Sequence, residues 1–262
     1  GRITSIVKSL VNFEEHIMKR PIVVLTSLLL GVTLATPVLA HEAGEWILRG
    51  GVGTVMPKDN NLSLGDFDLV VPPDVDLSVT NGAVQVDDGT SLTLSFTYMF
   101  TKNWAFDVLA AWPFKHDVDI EATITDNIGG GSESGAVPFG EVEHLPPTFS
   151  VQYHFAPDAK FQPFVGLGVN YTTFLSEDLD PLWPDLGITD FSLDDSFGLA
   201  VQLGADWMFS DQWLLNFDLR WMNIESDLSA TLDDGVNPVV TGTLGTVKID
   251  PVVFAINIGY VF

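Results

Sequence analysis

His116 followed by Asp117, and Glu143 followed by His144, are imidazole–carboxylate neighbours with the makings of acid–base chemistry. Acyl transfer or lipid hydrolysis needs a nucleophile, a base and an orienting group within hydrogen-bond reach. No serine stands at a matching height on the segments that carry these histidines, and Ser150 points inward well below them. The sequence holds no cysteine, which excludes a thiolate nucleophile, a disulfide frame and a thiolate metal site. A histidine–carboxylate rim also has the donor types of a zinc site, but two solvated rim histidines define none. No glycine-rich phosphate loop follows a strand and opens a helix. No catalytic residue, metal or cofactor is therefore assigned, and the sequence reads as a non-enzyme.

The remaining chemistry is ion pairing. Arg49, Asp107, Gln152, Asp206, Asp218, Arg220 and Asn257 each stand at an alternate position of a segment whose other face is apolar. What such residues do depends on the elements that hold them.

The first 40 residues do not belong to the fold. From Met18 the sequence reads Lys19-Arg20, an apolar run from Ile22 to Leu34, then Ala35-Thr36-Pro37-Val38-Leu39-Ala40. A basic start, an apolar centre and small residues at −3 and −1 are the features of a secretory signal peptide. A spanning helix needs about 20 apolar residues, and Pro37 stops this run short. Residues 1–17 read as over-extended translation, 18–40 as signal peptide and 41–262 as the mature chain.

That chain alternates with period two. Leu92 to Phe100, Trp104 to Trp112, Phe149 to Phe155, Val165 to Tyr171, Phe197 to Phe209, Trp213 to Trp221 and Val252 to Phe262 each set large apolar residues on one face. A weaker first strand runs from Trp46 to Val55. A soluble β-sandwich also alternates. Two features favour a membrane barrel instead: the apolar faces are aromatic at their ends, and short and long connections take turns. Thr101-Lys102-Asn103, 156–161 and Ser210-Asp211-Gln212 are tight turns. The stretches 56–89, 113–143, 175–194 and 225–250 are long. The fold expected is all-β, an eight-stranded antiparallel transmembrane β-barrel with short periplasmic turns and long extracellular loops. Phe262 closes the last strand as the end read by the barrel assembly machinery.

The net charge of −24, from 11 basic and 35 acidic residues, excludes nucleic acid as a partner, because phosphate binding rests on cations. The four long connections hold 25 of the mature chain's 33 acids and, of its cations, only Lys58, Lys115 and Lys248. They form a solvated outer surface, which divalent ions would bridge to lipopolysaccharide.

HEAGEWILRGG at 41–51, FTYMFTKNWAFDVLAAWPFKH at 96–116, HLPPTFSVQYHF at 144–155, FQPFVGLGVNYTTF at 161–174, the run ending at Gly198 and DPVVFAINIGYVF at 250–262 together resemble the OmpW family. That group of outer-membrane proteins includes the alkane-uptake porin AlkL. The resemblance covers the whole mature chain and implies a barrel that passes small hydrophobic molecules across the outer membrane. The stretches 56–89 and 129–140 match none of the family's motifs, so ligand preference is not carried over.

An eight-stranded barrel is wide enough for its own side chains or for one small ligand. Many inward positions are minimal: Gly51, Gly53, Gly166, Gly168, Gly198, Ala200, Gly204, Ala255 and Gly259. Either they relieve curvature or they leave the lumen open. Counting from the turns, the ion-pairing set lands in the lower lumen as a plug. The upper inward positions are apolar: Val55, Leu109, Ala111, Phe174, Met222, Ile224 and Val253. This order suits a hydrophobic solute that enters from outside and leaves sideways, and it is also how a narrow sealed barrel would pack. A surface-interaction barrel (adhesin, phage or colicin receptor) is the alternative. Sideways release needs an interrupted wall, and proline removes ladder donors. Pro113, nine residues above Trp104, and Pro146 and Pro147, nine and eight above Phe155, should meet at one height. They form a lateral gate or merely end the paired region.

Overall fold

The computed structural model describes residues 41–58, 61–65, 67–71, 75–233 and 239–262; the expected leader and upstream segment lie outside them. In chain order the strands are β1 (Trp46–Met56), β2 (Leu62–Ser63), β3 (Phe67–Val71), β4 (Val75–Val86), β5 (Gly89–Met99), β6 (Trp104–Ala111), β7 (Phe114–Asp126) and β8 (Ser132–Leu145). There follow β9 (Thr148–His154), β10 (Phe161–Leu179), β11 (Ile188–Leu193), β12 (Ser196–Met208), β13 (Trp213–Met222), β14 (Glu225–Leu232), β15 (Val240–Lys248) and β16 (Val252–Val261). Eight of them close one wall in the order β1-β5-β6-β9-β10-β12-β13-β16, with β16 antiparallel to β1. Closure leaves the wall without a free edge strand, as a sheet that spans a bilayer requires.

Alternation decides which residues face lipid. Along β12 every even-numbered residue from Ser196 to Met208 is buried, while Phe197, Leu199, Val201, Leu203 and Trp207 are exposed and Ala205 is half-buried. The outer face carries Trp112 at 73%, Phe197 at 72% and Leu92 at 63% exposure, side chains that water would expel and a bilayer accepts. Two of the lower turns are built alike. Thr101 Oγ1 accepts the N–H groups of Asn103 (3.2 Å) and Trp104 (2.9 Å), and Ser210 Oγ accepts those of Gln212 (3.4 Å) and Trp213 (3.0 Å).

The long connections are mostly folded. β4, β7 and β8 pair onward from one another and onto the upper half of β10, and β11, β14 and β15 form a separate sheet. Their inward residues, among them Val84, Val118, Phe139, Val142, Phe191 and Leu228, make an apolar core above the membrane. Their outward residues meet water rather than lipid and are mostly charged or hydroxylated, with Leu232, Val240 and Leu244 as apolar exceptions. A search for strands with apolar outer faces passes over them.

The small inward residues do not leave a void. A side chain on Gly204 would collide with the Phe164 ring, and one on Gly51 with the Ile256 carbonyl oxygen and Asn257. Glycine here makes room for larger neighbours. Gly204→Val is expected to destabilise the barrel by about 1–3 kcal/mol, the usual range for overpacking. Urea midpoints in detergent check this, and an unchanged midpoint would mean the Phe164 ring moves aside freely.

Candidate functional site: an apolar lumen over an ion-paired floor

From the periplasmic side upward the interior is layered. Ile47, Met99, Ala105, Met208, Leu214 and Val261 form a small apolar base. Above it lies the polar network. Arg49 donates from Nε to Asp206 Oδ1 (3.2 Å) and from Nη2 to Asp206 Oδ2 (2.5 Å), and also to Thr97 Oγ1. Thr97 Oγ1 in turn donates to Asp107 Oδ1 (2.7 Å). Arg220 Nη2 lies 3.2 Å from Asp107 Oδ2 and 3.5 Å from Asp218 Oδ2. Gln152 donates to Gln202 (3.0 Å), and Gln202 to Asp218. Asn216 donates to Asp206 (2.8 Å), Asn257 to Asn216 (2.9 Å) and Thr93 to Asn257 (2.8 Å).

The structure thus brings together Arg49, Asp107, Gln152, Asp206, Asp218, Arg220 and Asn257, the residues that the alternation aimed inward. Both guanidinium groups are nearly sealed from solvent, at 2% for Arg49 and 1% for Arg220. The space left within the network is about 10 Å³, too little for a continuous water path.

The apolar layer above contains Val55, Met222, Ile224 and Val253, all buried, with Ala111 and Phe174 packed against them. Leu109 departs from this grouping. Half-buried and paired with Thr148 and Ser95, it borders the polar space beside Arg49 and Asp107. Higher still, Val142, Phe174, Phe191 and Leu228 enclose a second space of about 20 Å³, with His116 and His144 on its wall.

These two histidines meet each other rather than the carboxylates beside them in sequence. Their Nε2 atoms are 2.9 Å apart, and His116 Nδ1 is 2.6 Å from the Asp87 carbonyl oxygen. Glu143 turns out to Lys115 (3.0 Å), and Asp117 is exposed. Since a carbonyl only accepts, His116 carries its proton on Nδ1 and receives the His144 Nε2–H. The pair stands above the lipid-facing belt. Burial pushes His116 down from the ordinary 6.5, and burial beside His116 pushes His144 down to about 3.

Both folded values lie below the unfolded one, so their contribution to stability is complete above pH 6.5. It is lost as pH falls, for His144 by about 1.4 kcal/mol per pH unit down to about 3, with His116 adding to the loss in the same direction. The outer layer should therefore loosen on acidification, and His144→Phe should flatten that dependence. Urea midpoints between pH 7.5 and pH 5 test this; parallel profiles for both proteins would contradict it.

The prolines lie where the wall changes partners. The β6–β9 ladder ends at Leu109↔Thr148, and the β7–β8 ladder begins at Phe114↔His144. Pro113, Pro146 and Pro147 fall in the gap between. On one flank β6 still holds β5, through Thr93↔Ala111 and Trp112 N–H to Leu92 O (2.8 Å). On the other, Tyr171 N–H reaches Pro147 O (3.0 Å), and Asn170 Nδ2 reaches Pro146 O (3.2 Å). Outside, near the β6 end of the seam, Val52, Thr90, Ser91, Leu92 and Trp112 line an open groove of about 420 Å³.

Sequence reasoning passed over the periplasmic mouth. His41 crosses it, its N–H on Pro157 O (3.1 Å), and is 1% exposed; His154 faces it from β9 and is fully buried. The inward phase of β9 would have pointed to His154. His41 precedes the first alternating segment and carried no such signal.

Residues 42–262 match the model of the OmpW family. The chain is 38% identical to outer membrane protein W of Vibrio cholerae over 87% of its own length and 93% of that protein's. It is 29% identical to outer membrane protein AlkL of Ectopseudomonas oleovorans over 85% and 84%. The crystal structure of outer membrane protein OprG from Pseudomonas aeruginosa superimposes with a TM-score of 0.67 at 34% identity, over 86% and 99%.

Proposed function

Because this chain belongs to the OmpW family and is an outer-membrane β-barrel, we propose that it carries small hydrophobic molecules passively from outside the cell into the bilayer. A solute enters among the apolar side chains of the outer layer, is stopped by the Arg49–Asp206 and Arg220–Asp107 floor, and leaves through the wall between β6 and β9. The observation that carries this reading is the coincidence of an apolar lumen with a ladder gap at Pro113, Pro146 and Pro147, above a floor that blocks straight passage. An apolar solute loses nothing among Val55, Ala111, Phe174 and Met222, whereas water and ions gain no polar partner there. Relatedness to AlkL supports the same substrate class.

The acidic outer strands face the lipopolysaccharide layer, and Phe262 presents the last strand to the assembly machinery. The two histidines bond each other and a backbone carbonyl rather than a nucleophile or a carboxylate, which supports a passage rather than an enzyme. In this conformation the outer apolar space is about 20 Å³, smaller than any such solute, so entry requires the outer side chains to part. That same closure favours a second reading, a sealed surface-interaction barrel. Uptake of an apolar dye by vesicles containing the protein, against protein-free vesicles, separates the two. Faster uptake supports the passage, and equal rates support the sealed barrel.

A further inference from the structure

At the periplasmic mouth two imidazoles and a carboxylate converge. Donor atoms of His41, His154 and Asp206, all buried, lie within 4.8 Å of one another. The hydrogen bonds around His154 fix which of its nitrogens is bare. Asp218 only accepts, so Gln202 must turn its NH2 toward it and offer Oε1 to the Gln152 NH2. Gln152 then presents Oε1 to His154 Nε2 at 3.2 Å, which places the His154 proton on Nε2 and leaves Nδ1 with a free lone pair. On the other side His41 lies between two carboxylates, Nδ1 3.4 Å from Glu45 Oε2 and Nε2 3.9 Å from Asp206 Oδ2 with no hydrogen bond on it among the described residues; with its proton on Nδ1 it offers the Nε2 lone pair.

His41 Nε2 and His154 Nδ1 are both buried and have no hydrogen-bond partner among the described residues; nor has Gln162 Oε1, whose residue pairs with Asp206 across β10 and β12. An unpaired buried nitrogen is costly, and two of them beside one carboxylate need a common explanation.

The geometry points to a site for a divalent first-row transition ion, best matched by zinc, held by His41 Nε2, His154 Nδ1 and Asp206 Oδ2. Each imidazole donates its other N–H to an oxygen, the arrangement that orients metal-bound histidines. Two nitrogens and one oxygen suit zinc, with a fourth position open to solvent or Gln162. Tetrahedral bonds of about 2.0–2.1 Å put ligand atoms about 3.4 Å apart, so the side chains draw inward on binding.

Charge favours the ion as well. Asp107, Asp206 and Asp218 face two guanidinium groups, and Glu45 adds another negative charge at the mouth. Asp206 keeps Arg49 Nε and Asn216 on Oδ1, while Oδ2, which also accepts Arg49 Nη2 (2.5 Å), has its second lone pair for the metal. Bound there, the ion ties the segment before β1 to β9 and β12 and clamps the mouth shut.

The test uses untagged protein extracted from membranes and stripped with chelator. Cobalt is titrated by its visible absorption, and zinc by calorimetry and competition. The site predicts one ion per chain, a raised melting temperature with zinc, and at least a tenfold loss of affinity in both His41→Gln and His154→Gln. His144→Gln, in the outer pair, should bind as wild type does. His41 lies outside every strand, so H41Q leaves the wall intact, and unheated gel mobility verifies that each variant is folded. No binding by the wild-type protein, wild-type affinity in H41Q or H154Q, or loss of binding in H144Q alone would overturn the site.

Discussion

Arg49→Ala should lower the stability of the folded barrel by about 3–5 kcal/mol, the range seen when one partner of a buried ion pair is removed. The loss comes from Asp206, which would stay enclosed without the guanidinium that now meets both of its oxygens. Arg220→Ala should cost less. Arg220 reaches Asp107 and Asp218 through one nitrogen, while its Nε and Nη1 have no partner among the described residues. Pairing is separable from packing by a double change. Arg49→Met with Asp206→Asn removes both charges at similar volume and should recover most of the loss. Equilibrium urea unfolding followed by tryptophan fluorescence measures all three proteins. An Arg49→Ala barrel with the wild-type midpoint would mean the floor is not held by this pair. Conductance should also rise in Arg49→Ala, because the network is what fills the lower lumen.

Pro146→Thr combined with Pro147→Val should bring uptake of an apolar solute down toward the rate without protein, at unchanged folding yield. The double change restores two backbone N–H groups opposite the end of β6, where the β6–β9 ladder now stops at Leu109↔Thr148. Restored pairing would extend that ladder toward Phe114↔His144 and close the wall, leaving the lumen residues untouched. Uptake equal to wild type by a correctly folded double variant would leave the prolines as strand terminators. The double change leaves the floor intact, so a closed wall leaves the solute no other exit.

Much of this arrangement is legible in the sequence, for a physical reason. In a membrane barrel the two faces of a strand meet opposite solvents, so period two sorts residues without knowledge of any contact. Asp107, Asp206 and Arg220 could be aimed inward, and placed at one height, by counting from Thr101-Lys102-Asn103 and Ser210-Asp211-Gln212. The same counting set Pro113 opposite Pro146 and Pro147. It was less successful with Leu109, which sits at the border of the polar layer because the strands are sheared relative to each other and equal counts are not equal heights.

The glycines were ambiguous for a different reason. Gly204 is small because Phe164 lies over it, and that neighbour is set by the β10–β12 register rather than by β12. β7 and β8 read as loop because, above the bilayer, their outer faces meet water and carry Lys115, Asp117 and Glu141. Nor did adjacency in sequence foretell the histidines' partners. Asp117 and Glu143, beside them along the strand, point to the opposite face, whereas His116 and His144 face each other across the β7–β8 pair.

The most direct test of the proposed passage is the rate at which an apolar dye crosses vesicles whose outer leaflet is lipopolysaccharide, with and without this protein. An apolar lumen above an ion-paired floor predicts faster dye entry than in protein-free vesicles, together with no added leak of a small polar sugar. Dye entry at the protein-free rate, or a sugar leak that rises in step with it, would contradict that account.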